Sequence, residues 1–121
     1  MGYVNETRLD LFLPDRLWLA RSKRGASTDM RWLTYYFASE PGARQLRGLA
    51  TGTSGSMKNI PKDRIFALEI DVPNEFEQRS IASALATVDE LIESLQRAIA
   101  KKQAIKQGMM QQLLTGRIRL V

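Results

Sequence analysis

The C-terminal part of the chain, residues 74–121, constrains the fold more than any other segment. Its apolar side chains recur with spacings of four, three, four, three and four residues, at Ile81, Leu85, Val88, Ile92, Leu95 and Ile99. This alternation is the a/d seam of a heptad pattern and predicts a long helix with one apolar face. A helix of about 40 residues spans about 60 Å, which exceeds the width of a small domain. We therefore expect much of this face to pack on something outside the compact part of the chain.

Both ends of the predicted helix carry recognisable signals. Pro73 disfavours helical geometry in the residue before it, and Asn74 and Glu77 have the spacing of a capping box. At the other end, Thr115 and Gly116 follow the last apolar residues, and glycine is the usual residue in the left-handed turn that closes a helix. The sequence therefore predicts a helix that begins at Asn74, ends near Gly116 and leaves a short extended tail over residues 117–120.

The apolar seam is interrupted in its second half. After Ile99 the next two seam positions are Lys102 and Lys106, and the apolar residues move to Ile105 and Met109. An ideal helix drifts by about 20° per heptad relative to a 3.5-residue repeat, so the apolar stripe rotates around the helix here. Two interpretations remain open: this stretch is simply solvated, or the two halves of the helix face different partners.

The first 73 residues predict a small mixed α/β structure, which makes the whole chain α+β. We expect a domain boundary near Pro73, between residues 1–73 and the helical region 74–121. The expected elements are, in order, two short strands within 11–20 around Pro14-Asp15, a basic loop at 21–27, a helix capped by Asp29, a second helix after Pro41-Gly42, a Gly-Ser loop at 51–59 and a strand at 65–70.

Composition narrows the range of functions. The chain has 18 basic and 13 acidic side chains, a net charge of +5, no cysteine and no histidine. Residues 1–70 hold 11 of the basic and 7 of the acidic side chains, so most of the excess positive charge lies there. Without histidine, a phosphate-binding glycine loop or a dinucleotide fingerprint, the sequence points to a non-catalytic protein with no cofactor and no metal. We expect a cytoplasmic protein with no membrane span.

A longer ordered pattern runs through the helical region. Residues 73–92 read P-N-E-F-E-Q-R-S-I-A-S-A-L-A-T-V-D-E-L-I, and residues 106–120 read K-Q-G-M-M-Q-Q-L-L-T-G-R-I-R-L. The first string resembles the helical spacer of type I restriction–modification specificity subunits, and the second resembles the end of that spacer. The order of strand, basic loop, helix with Tyr35-Tyr36, Gly-Ser loop and strand in residues 1–73 is similar to the C-terminal part of a target recognition domain, the unit of these subunits that reads a DNA half-site.

The resemblance implies a truncated or half-subunit form. Specificity subunits normally carry two target recognition domains, each about twice the length available here, and two helical spacers, whereas this chain has one spacer. The implied function is a non-catalytic DNA-recognition and assembly component of a restriction–modification system. The implied partners are double-stranded DNA, a second copy of the chain, and the methyltransferase (modification) and restriction subunits of the system.

Two sets of residues are candidates for these contacts. The DNA-binding candidates lie in the basic loop and the Gly-Ser loop and are Arg21, Lys23, Arg24, Ser54, Ser56, Lys58 and Asn59. The candidates for pairing with a partner helix are Ile81, Leu85, Val88, Ile92, Leu95, Ile99, Ile105 and Met109. Alternatively, the basic loop is only a solvated surface, and the chain is an assembly module that dimerises or binds a methyltransferase subunit without reading DNA.

Overall fold

The computed structural model describes residues 2–4, 12, 17–50 and 60–120. The described residues form four helices: α1 (Met30–Ala38), α2 (Glu40–Leu49), α3 (Lys62–Phe66) and α4 (Glu75–Leu114). The chain divides into two compact units, Met1–Ser83 and Ala84–Val121. The first unit contains α1, α2, α3 and the start of α4, and the second contains the rest of α4 and the tail.

The prediction of a mixed α/β structure is wrong, because the described residues form helices and no strand. Residues 65–70, predicted as a strand, instead contain the end of α3, a turn and an irregular segment. Pro61 occupies the N-cap position of α3 without a capping hydrogen bond from its side chain, and Asp63 lies in the first turn, where its negative charge favours the helix start over a short apolar alternation. Residues 17–20 also lie outside any strand, whereas residues 11 and 13–16 of the other predicted strands lie outside the described residues.

Helices α1 and α2 share a single residue at their junction. Ser39 donates its backbone N–H to the carbonyl oxygens of Tyr35 and Tyr36, at 3.0 and 3.1 Å, and so closes α1. Its Oγ accepts a hydrogen bond from the N–H of Gly42 at 3.4 Å and so caps α2. Pro41 lies in the first turn of α2, where its missing N–H has no cost. One serine therefore allows two helices to follow each other without a loop.

The long helix is confirmed. Helix α4 has 40 residues and begins with the expected capping box, in which Asn74 Oδ1 accepts from Glu77 N at 2.9 Å and Glu77 Oε2 accepts from Asn74 N at 3.3 Å. At its end, Gly116 has φ of 74° and donates its N–H to the carbonyl oxygen of Leu113 at 3.4 Å. Local sequence signals therefore determine both ends of α4.

A buried glutamine joins α4 to α1 within the first unit. Gln78 is only 1% exposed. Its Oε1 accepts from the backbone N–H of Asp29 at 2.7 Å, and its Nε2 donates to the carbonyl oxygens of Ser27 and Pro73, at 3.2 and 2.8 Å. Asp29 in turn caps α1 through its side chain, which accepts from Arg31 N and Trp32 N. Gln78 therefore holds the start of α1 against the start of α4.

We predict that Gln78→Met destabilises the protein by about 2–3 kcal/mol, because it removes three hydrogen bonds and leaves their backbone partners unpaired while nearly preserving volume. The matched control is Gln107→Met, which changes an exposed glutamine of the same helix and should shift stability by less than about 0.5 kcal/mol. Urea unfolding followed by circular dichroism measures both. Equal midpoints for the two variants would contradict this role of Gln78.

A second prediction compares two glycines of α2. A Cβ on Gly42 would lie 2.8 Å from the Cα of Phe37, and still nearer the carbonyl oxygen of Tyr36, whereas a Cβ on Gly48 would meet nothing within 4 Å. Gly42→Ala should therefore destabilise by about 1–3 kcal/mol through the clash with α1. Gly48→Ala should stabilise by up to about 1 kcal/mol, because alanine favours the helix. Thermal unfolding of both variants tests the close approach of α1 and α2.

Candidate partner-binding helix face and basic turn

The predicted apolar face of α4 lies open in the structure. The eight candidate residues are between 40% and 56% exposed, which is high for large apolar side chains. They are Ile81, Leu85, Val88, Ile92, Leu95, Ile99, Ile105 and Met109, and we call them the apolar stripe. Contiguous exposed apolar surface of this kind is typical of a protein–protein contact. The structure thus arranges the stripe as a surface available to a partner.

The exposed surface is wider than the sequence pattern alone indicated. Leu91 is 59% exposed and Met110 is 42% exposed, and each directly adjoins a seam position. In the second unit, a shallow open groove runs along α4 and is lined by Leu95, Ala98, Ile99, Lys102, Gln103 and Lys106. The heptad alternation did not select Leu91 because it considers only a and d positions. A count of apolar residues at the flanking g positions would have found it.

The stripe begins where α4 leaves the buried part of the first unit. Gln78 and Ala82 are the residues of α4 that are buried, at 1% and 2% exposure. Gln78 stands three residues before Ile81 and so occupies a seam position. The first unit therefore covers the start of the seam with its own residues, and the exposed apolar positions follow after it.

The ion pairs that α4 carries on its polar face and in its first turn are exposed. Glu93 and Arg97 approach to 3.6 Å, as their four-residue spacing predicts, and Glu75 pairs with Arg79 in the first turn. All four side chains are more than half exposed, so each pair contributes little to stability. The acidic residues of α4 are therefore held at the surface, where a partner can reach them.

The basic loop of the first unit contains a tight turn. Ala26 N donates to the carbonyl oxygen of Lys23 at 3.1 Å, and Gly25 takes φ of 80° at the third position of the turn. A positive φ at this position is the requirement of a type II turn, which favours glycine. Arg21, Lys23 and Arg24 are all exposed around it. We call these three residues the basic turn, and they present three cations on one short segment.

Two other cations of the first unit lie over aromatic rings. Lys62 Nζ lies 5.5 Å from the ring centroid of Trp18, and the Arg31 guanidinium lies 5.4 Å from that of Tyr3. These are cation–π contacts, which hold the cations within the unit. The side chains of the basic turn have no such ring contact and no ion pair among the described residues. The remaining DNA-binding candidates, Ser54, Ser56, Lys58 and Asn59, lie outside the described residues.

No protein-family profile matches the chain, and no solved structure matches it. Among the helices that the structure describes, none combines the length and hydropathy that a membrane crossing requires. The geometry of the stripe and of the basic turn therefore provides the basis for a functional proposal.

Proposed function

We propose that the chain is a non-catalytic assembly component of a type I restriction–modification system, related to its specificity subunits. In this proposal α4 is a spacer that pairs with another helix through the apolar stripe. The observation that carries it is the combination of a 40-residue helix with a stripe of large apolar side chains left open to solvent. Each of these side chains contributes roughly 1.5–3 kcal/mol when fully buried, so exposure of the whole stripe is unfavourable.

The resemblance of residues 73–92 and 106–120 to the specificity-subunit spacer supports the assignment to this system. Both resembling strings fall largely on α4 and its terminal turn, which agrees with a helical spacer. In full-length specificity subunits two such helices pack together within one chain. Because the apolar stripe of α4 is exposed, we propose that a second copy of the chain supplies the other helix, giving a dimer with two-fold symmetry. The methyltransferase and restriction subunits are the proposed further partners.

Contact with DNA is the second part of the proposal and rests on a different observation. The basic turn exposes Arg21, Lys23 and Arg24 within residues 1–70, which have 11 basic and 7 acidic side chains and so hold most of the net charge of +5. Lysine and arginine side chains neutralise phosphates irrespective of base sequence. We propose weak, salt-sensitive binding to double-stranded DNA, in the cytoplasm where DNA and the other subunits occur. Tight sequence-specific reading is not proposed.

The two activities are separable by measurement. A sequence-specific reader prefers one duplex over competitor DNA at fixed salt. An assembly module with a basic surface binds all duplexes alike, and its affinity falls steeply with salt. Competition titrations at two salt concentrations distinguish them. Equal competition by unrelated duplexes supports the assembly proposal, and a strong preference for one sequence contradicts it.

We predict that Ile92→Asp converts the dimer to a monomer, because it places an unpaired charge in the middle of the stripe. The control is Ser94→Asp, which adds the same charge to an exposed position of the same helix outside the stripe. Sedimentation velocity at micromolar concentration should show a dimer for the wild type and for Ser94→Asp. A wild-type monomer would contradict self-assembly through α4.

We predict that replacing Arg21, Lys23 and Arg24 together by Ala lowers the salt dependence of DNA binding. Each lost phosphate contact reduces the slope of log affinity against log salt by about 0.9, so the triple variant should lose up to roughly three units. Dimerisation should persist, since it depends on α4. The paired change Arg21→Lys with Arg24→Lys retains the charge and should retain the slope. An unchanged slope in the triple alanine variant would mean that the basic turn is only a solvated surface.

A further inference from the structure

The segment that directly follows the basic turn is attached to α4. The turn closes with the hydrogen bond from Ala26 N to the carbonyl oxygen of Lys23, and Ser27 is the next residue. The carbonyl oxygen of Ser27 accepts from Gln78 Nε2 at 3.2 Å, and the N–H of Asp29 donates to Gln78 Oε1 at 2.7 Å. The C-terminal end of the basic turn is therefore held against the start of α4 by one side chain.

A third hydrogen bond holds the amide of Gln78 itself in place. Its Nε2 also donates to the carbonyl oxygen of Pro73 at 2.8 Å, immediately before α4. The amide nitrogen thus uses both of its hydrogens, and the amide oxygen has an acceptor role at the same time. Since the side chain is only 1% exposed, water does not replace a bond that breaks when the amide rotates. Gln78 is therefore a rigid attachment point for the segment after the basic turn.

The three contacts require the chemistry of glutamine. The side chain must accept one hydrogen bond and donate two, and it must reach all three backbone groups from the first turn of α4. An ionised glutamate accepts but does not donate, a lysine donates but does not accept, and a methionine has no N–H or O–H group. An asparagine carries the same amide on a side chain that is one methylene shorter. Glutamine combines the donors, the acceptor and the length.

A second and weaker contact lies on the other side of the basic turn. Lys62 Nζ lies 5.5 Å from the ring centroid of Trp18, three residues before Arg21. The Trp18 side chain is 49% exposed, and a cation–π contact at an exposed site contributes little. The hydrogen bonds of Gln78 are buried, where the low dielectric strengthens them. The basic turn therefore lies between two attachment points, of which Gln78 is the stronger.

We infer that Gln78 is a positioning residue for DNA contact. It holds Ser27 and Asp29, keeps the basic turn in one place relative to the start of α4, and so presents the three cations to phosphates together. This role rests on the proposed DNA contact and names a residue outside the basic turn on which that contact depends. A segment that is already ordered loses little backbone freedom when it binds, and such preorganisation raises affinity.

Positioning and charge have different signatures in the salt dependence of binding. Removing cations from the basic turn lowers the slope of log affinity against log salt, because fewer counterions are released. Releasing the turn from Gln78 leaves every cation present, so the slope stays the same. The affinity falls instead at every salt concentration, because binding must now order the turn. The variant should therefore give a line parallel to that of the wild type and displaced to lower affinity.

DNA titrations with full-length variants test this signature. Gln78→Met should lower the affinity for a duplex on the order of tenfold with the slope unchanged. Gln78→Asn is a milder change that should act in the same direction, and circular dichroism identifies the variants that are folded. The controls are Gln107→Met, at an exposed glutamine of α4, and Gly42→Ala, which disturbs the contact of α1 with α2 instead. Both should bind like the wild type. Wild-type affinity in the folded Gln78 variants, or a lowered slope, overturns the inference.

Backbone mobility of the turn tests the same role without DNA. In the full-length chain labelled with ¹⁵N, the amides of residues 22–26 should have order parameters near the value of a rigid backbone, about 0.85. In Gln78→Met and Gln78→Asn the values should fall toward those of a flexible segment, below about 0.6. Gly42→Ala should retain the wild-type values. Equal order parameters in the wild type and in the Gln78 variants overturn the inference, because the turn would then be held by other contacts.

The two measurements separate failure of this inference from failure of the proposed function. A wild type that binds no duplex at low salt overturns the proposed DNA contact and with it the role of Gln78 in that contact. The order parameters then still decide whether Gln78 holds the turn. DNA binding that is salt-sensitive but indifferent to Gln78 supports the proposed function and overturns the positioning role alone.

Discussion

The organisation of the first unit depends on one buried side chain, Gln78. A buried amide is stable only when its hydrogen-bonding groups have partners, and here its oxygen and nitrogen contact three backbone groups, two of them in the distant segment 27–29 and one at Pro73, five residues before Gln78. One of these groups belongs to Asp29, which itself caps α1. The bond therefore aligns the beginnings of α1 and α4 through backbone groups, so the contact does not depend on which side chains stand on α1. Apolar packing alone would leave that alignment free to slide.

Gln78 also marks the place on the heptad seam of α4 where burial within the first unit gives way to exposure. At Gln78 the seam is covered by residues of the chain's own first unit, whereas from Ile81 onward its apolar positions are exposed. If every seam position were apolar, nothing in the seam would distinguish the part that packs within the first unit from the part that packs on a second helix. A polar residue that is satisfied only by the first unit supplies that signal, because any other environment would leave its amide unpaired. The proposed assembly function follows from this division, with the remaining seam left for a second helix.

Charge has a different role in each unit. In the first unit the basic turn lies on a surface, where its cations interact with anything negative and carry no information about sequence or direction. In the second unit the charges are ordered along α4, acidic before basic, and two of them stand within the seam. Ordered charges discriminate between partners and between directions, since a mismatch places like charges together. The net charge of +5 therefore says little about function. The positions of the individual charges say more, because they determine which partner surfaces are complementary.

The sequence by itself determined α4, both of its ends, the Asp29 cap and the residues of the apolar stripe, because capping bonds and heptad spacing act within a few residues. It did not determine the structure of residues 65–70, since a short apolar run fits a strand or a helix end equally well. A strand needs a neighbouring strand to pair with, and the described residues offer none. Only the structure shows that α3 ends at Phe66 and that residues 67–70 form a turn and an irregular segment in place of a strand. It also decided that Gln78, a polar residue in a seam, is the residue that joins α1 to α4.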